Sequence, residues 1–120
     1  MRRIPVLLAV LLTALLALTA CGGNSSGQSG NTATKTIDIT VKGSSVTPNG
    51  DRVQVSVGQP IELVVTADKP GEIHVHSSPE QEFQYDKGTS TLDLKAIKTP
   101  GIVVIESHTL DKTIVQLEVR

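Results

Sequence analysis

The chain has 120 residues, with 11 Lys and Arg against 12 Asp and Glu and a formal charge of −1. That length holds one domain of ordinary size, and the charge lacks the basic excess that phosphate contacts demand, which argues against nucleic acid as a partner. One Phe, one Tyr and no Trp leave no stacking platform for single-stranded nucleic acid. A single Cys excludes an intrachain disulfide and a Cys-based zinc site.

Arg2 and Arg3 precede an uncharged apolar run from Val6 to Leu18. The run is shorter than the ~20 residues of a comfortable membrane span and matches the apolar region of a secretory signal. It ends in Leu18-Thr19-Ala20-Cys21, which resembles a bacterial lipobox. The resemblance implies a signal peptide over 1–20 and a lipid-modified Cys21, palmitate among its acyl chains, as the new N-terminus. It places the protein on the outer, extracytoplasmic side of a cell membrane. One acyl chain binds a membrane only marginally, whereas two or more hold stably. Cleavage removes two arginines and no acid, so the mature domain is mildly acidic and the acyl chains must do the anchoring.

Residues 21–35 follow as a tether of Gly, Ser, Asn, Thr and Gln. Such a segment buries too little surface to offset its ordering entropy, and it spans roughly 20 Å on average.

From Thr36 the pattern takes period two. Ile37, Ile39 and Val41 alternate with polar residues, as do Val53, Val55 and Val57, and then Ile61, Leu63 and Val65. That is the signature of half-buried strands. Thr47-Pro48-Asn49-Gly50-Asp51, Lys69-Pro70-Gly71 and Thr99-Pro100-Gly101 are turns, since Pro sets φ and Asn or Gly tolerates φ > 0. Ile73 and Val75 alternate with His74 and His76. Phe83 with Tyr85, and Leu92 with Leu94, make short strands. Ile102 to Ile105 is a continuous apolar run and reads as a central strand buried on both faces. Val115, Leu117 and Val119 form the last strand. Seven or eight short strands between Gly/Pro turns predict an all-β antiparallel sandwich over 36–120.

Two stretches carry a resemblance. One is Val57-Gly58-Gln59-Pro60-Ile61 through Pro70-Gly71-Glu72-Ile73-His74-Val75-His76. The other is Thr99-Pro100-Gly101 through Ser107-His108, with a last strand ending Leu117-Glu118-Val119-Arg120. Together they resemble the bacterial cupredoxin-like domain, which implies a Greek-key β-sandwich with a metal site at one pole. His74 falls where the family's first His stands, and Ser107 falls close to its Cys. His108 lies in the ligand loop, out of register with the second His, and the mature chain has no Met. A blue-copper site needs a thiolate, and the only thiol is at Cys21. Type 1 copper is therefore excluded.

Three histidines remain. His74 and His76, two apart on a strand, share one face. If His108 sits at the same pole the three can hold Cu(II) or Zn, with Glu106 adding an oxygen. Sulfur-free imidazole sites suit these ions. The competing reading puts Ile73 and Val75 on the core face and leaves His74 and His76 at the surface. Glu80 and Glu82 read as solvated loop charges. Ser107 beside His108 is no catalytic pair, because neighbours on a strand point to opposite faces. No phosphate loop or nucleophile elbow is present, so an enzyme is not expected. The sequence thus predicts a monomeric envelope lipoprotein that handles a divalent metal. The alternative is a metal-free module that binds an envelope protein.

Overall fold

The structure is a computed structural model that describes residues 32–120. The signal peptide, Cys21 and most of the tether lie outside the described residues. Among those described, nine strands follow in order: β1 (Lys35–Lys42), β2 (Ser45–Thr47), β3 (Asp51–Val55), β4 (Ile61–Ala67), β5 (Gly71–Val75), β6 (Gln81–Tyr85), β7 (Gly88–Leu94), β8 (Gly101–Ser107) and β9 (Lys112–Val119). They form a four-stranded sheet, β2-β1-β4-β7, and a five-stranded sheet, β3-β9-β8-β5-β6. β1 with β4 and β3 with β9 are parallel; the other pairs are antiparallel.

The period-two pattern sets the core. Ile37, Ile39 and Val41 of β1, and Ile61, Leu63 and Val65 of β4, turn one apolar face inward. Ile73 and Val75 of β5, Val103 and Ile105 of β8, and Val115, Leu117 and Val119 of β9 meet them from the other sheet. β2 is the strand that the sequence does not announce. It carries one inward residue, Val46, and three residues are too few to show alternation.

The Ile102–Ile105 run departs from expectation. β8 does lie at the centre of its sheet, but only Val103 and Ile105 are buried, and Ile102 is 50% exposed. A strand is buried on both faces only when a second layer covers the outer one. Among the described residues no element packs over the outer face of the five-stranded sheet, so that face is free to carry chemistry.

Two buried amides fix the loops. Gln59 accepts from Ser56 N–H at 2.9 Å and donates to Ala33 O at 2.8 Å, which ties down the entry to β1. Gln81 accepts from Lys95 N–H at 2.7 Å and donates to Ser77 Oγ at 3.0 Å and Lys95 O at 3.2 Å. It holds the connection between β5 and β6 against the far end of β7.

Gly71 opens β5 opposite Tyr85 of β6, and the Tyr85 ring lies across the space where a Cβ would stand. Tyr85 is buried and cannot swing out. Gly71→Ala therefore overpacks the core and costs about 1–3 kcal/mol. A urea midpoint equal to that of the unaltered chain would refute this.

Candidate metal centre

β5 alternates between two environments. Ile73 and Val75 enter the core, while His74 points to the outer face of the sheet. There it stands between Glu82 of β6 and Glu106 of β8, its direct cross-strand partners. His76 lies one residue past β5, but its N–H bonds to Val104 O at 2.8 Å. That keeps the chain extended, so the His76 ring stays on the His74 side, with ring centroids 4.4 Å apart. His108 comes from the turn between β8 and β9. Leu110 N–H donates to Ser107 Oγ at 3.3 Å, and Asp111, at φ 52°, N–H to His108 O at 3.3 Å. The turn brings the His108 ring over His74, with His74 Nδ1 and His108 Nε2 2.6 Å apart.

Glu106 closes the group. Its Oε1 lies 2.8 Å from His76 Nε2 and 3.4 Å from His108 Nε2. His74, His76, Glu106 and His108 each offer one ligand atom, and these four atoms lie within 4.8 Å of one another. His74 is buried beneath the others although it faces outward. Its neighbours grow more open in turn: the side chains of Glu106, His76 and His108 are 27%, 37% and 53% exposed.

The sequence reading named these three histidines, with Glu106 as a fourth donor, and the structure brings all four together. They meet on the outer face of the five-stranded sheet, beside the turn from β8 to β9. Strand parity is the reason. Ser107, matched to the family's Cys, points inward and is 1% exposed. The Tyr85 phenol is buried with it, and that burial pushes the Tyr85 pKa above the ordinary value. Glu106 and His108, on either side of Ser107, face the opposite way.

Glu80 is the solvated loop charge expected of it, 63% exposed, but it also faces the histidines. Its Oε2 lies 3.2 Å from His74 Nε2, and its Oε1 lies 3.7 Å from His76 Nδ1. No spacing rule points to it, because it reaches the histidines through an irregular connection that Gln81 holds in place. Glu82, in β6, is exposed as expected.

The hydrogen bond with Glu106, aided by the charges on Glu106 and Glu80, raises the pKa of His76 above 6.5 against the opposing effect of burial. The same bond, with the charges of the three histidines, lowers that of Glu106 below 4.5, again against burial. A lowered carboxylate stabilises the fold fully above its unfolded pKa and loses that effect as pH falls through the folded value. A raised imidazole does so fully below its unfolded pKa and loses the effect as pH rises through the folded value. The pair thus contributes most between about pH 4.5 and 6.5. In chelator-treated protein, the Tm difference between the unaltered chain and Glu106→Gln should peak in that window and shrink on both sides. A difference that does not vary with pH contradicts the pairing.

No family model matches the chain, and neither does any curated protein. Solved structures do share its fold. Reduced auracyanin from Roseiflexus castenholzii is 13% identical with a TM-score of 0.51, over 73% of this chain and 98% of its own. A purple cupredoxin from Nitrosopumilus maritimus is 13% identical with a TM-score of 0.51, over 72% and 99%. A multi-copper oxidase from Pediococcus acidilactici is 16% identical with a TM-score of 0.50, over 75% of this chain and 26% of its own. The domain therefore has the cupredoxin fold.

Proposed function

We propose that this chain is an envelope lipoprotein whose cupredoxin-like domain holds a divalent metal, Cu(II) first and Zn second, through His74, His76, His108 and Glu106. The observation that carries this reading is the meeting of His108 with His74, 34 positions apart. A pair of surface histidines needs no third partner, whereas a metal site does.

The donor set fits. Three imidazole nitrogens and one carboxylate oxygen, with no sulfur, suit Cu(II), Zn or Ni. Donors around one ion stand at most roughly 4.2 Å apart, twice a ~2.1 Å bond. Four atoms already within 4.8 Å need only small rotamer adjustments to reach that limit. An ion bound there supplies Lewis acidity. The residues supply the charge balance, with Glu106 as an anionic ligand, and the side toward His108 remains open to water. An open, sulfur-free site on a tethered domain suits metal handling at the cell surface rather than turnover. The monomer is the unit proposed.

Cu(II) titrated into the full chain in detergent should bind one equivalent and show nitrogen hyperfine structure by EPR. His74→Ala/His76→Ala should weaken binding at least about tenfold, the scale at which losing even outer partners of a site is felt. Absent binding, or equal weak binding in both proteins, favours the metal-free interaction module instead. The anchor is tested separately. Cys21→Ser should abolish palmitate labelling in a bacterial host and release the chain from the detergent phase, and retained labelling would reject the lipobox reading.

A further inference from the structure

We infer that Glu80 is the positioning carboxylate of this centre, setting which ring nitrogen of His74 faces the common ligand point. The inference rests on the metal reading above and adds to it a residue that is not among the four ligands. Each of these imidazoles has two nitrogens, and the structure sends them in two directions. His74 turns Nδ1 toward His108 Nε2, at 2.6 Å, and Nε2 toward Glu80 Oε2, at 3.2 Å. His76 turns Nε2 toward Glu106 Oε1, at 2.8 Å, and Nδ1 toward Glu80 Oε1, at 3.7 Å. The two oxygens of one carboxylate thus face the outward nitrogens of two rings, and the inward nitrogens converge.

A carboxylate accepts and does not donate. Glu80 therefore keeps the His74 proton on Nε2 and leaves Nδ1 as a bare lone pair aimed at the centre. His108 Nε2–H is then the donor across the 2.6 Å contact, and this proton leaves when an ion takes its place. His76 Nε2–H donates to Glu106 Oε1 at 2.8 Å, and that proton too leaves when an ion takes its place, while the Glu80 charge faces Nδ1 at 3.7 Å. The donor atoms are then His74 Nδ1, His76 Nε2, His108 Nε2 and a Glu106 oxygen. Histidine ligands commonly have the second nitrogen fixed in this way, and losing such a partner costs about 10–100-fold in metal affinity. Here the carboxylate that does it for His74 also places its charge beside His76. Its own position is secured from below: Gln81, next in sequence, is clamped to Lys95 and Ser77, and Ser77 Oγ–H donates to Pro79 O at 2.6 Å.

Glu80 is 63% exposed, so removing it leaves the core intact. The test uses the full chain in detergent, ¹⁵N-labelled at histidine, as the unaltered protein, Glu80→Ala and Glu82→Ala. Glu82 stands beside His74 in register and serves as the control for charge alone. In metal-free protein at pH 8, the His74 ring nitrogens should report the Nε2–H form in the unaltered chain and in Glu82→Ala, and a mixture of tautomers in Glu80→Ala. Zn(II) affinity by calorimetry should fall about 10–100-fold in Glu80→Ala and far less in Glu82→Ala, with Tm unchanged in both. An unaltered His74 tautomer in Glu80→Ala overturns the inference, as does an affinity loss matched by Glu82→Ala. An unaltered chain that binds no Zn(II) or Cu(II) rejects the metal reading itself, and the tautomer comparison still decides the role of Glu80 in orienting the rings.

Discussion

The pairing of β5 with β8 is the constraint on which the rest of the molecule depends. Val75 faces Ile105, and both are fully buried in the core. One step along, His74 faces Glu106 on the opposite side of the same sheet. A single register therefore builds the hydrophobic interior and the polar cluster together. A slip of one residue would turn every side chain of the strand to the other face. A slip of β5 would bury His74 in an apolar interior, away from Glu106, and expose Ile73 and Val75. Desolvating that imidazole without a matched partner is costly, so the core and the cluster enforce the same register.

The cluster keeps its shape through internal balance. Three imidazoles in close contact repel one another whenever they are protonated. Glu106 from the sheet and Glu80 from the β5–β6 connection offset that repulsion, and the hydrogen bonds they accept hold the rings in fixed orientations. His74 and Glu106 stand on strands at the heart of the five-stranded sheet. His108 stands on a turn that Ser107 braces from within. β9 carries an irregularity beside Glu106, where Ile105 pairs with Val115 and Glu106 pairs with Thr113. The extra residue, Ile114, is itself buried. Bulges of this kind increase local twist and re-aim nearby side chains, and this one lies next to the residue that gathers His76 and His108.

The fold and the site separate cleanly. The sandwich is shared with cupredoxins at 13% identity, and at that distance what is shared is architecture. The position that the family resemblance matched to a Cys is Ser107, which is sealed inside. The histidines that gather do so on the other surface of the same strands. A function grafted onto a widespread fold resides in such residues and not in the strand order.

The sequence alone determined the fold class, most of the strands and the shared face of His74 and His76. These follow from local rules: period-two alternation, the φ preferences of Pro and Gly, and the geometry of an extended chain. It also pointed to His108 and Glu106 as companions, through a resemblance. Three features were out of its reach, each for a physical reason. β2 is too short to show a period. Whether Ile102 is covered depends on what packs over it, which no strand encodes for itself. Glu80 reaches two imidazoles through an irregular connection fixed by the distant backbone of Lys95. Only the tertiary structure decided these, because long-range contacts bring together groups whose separation along the chain carries no period.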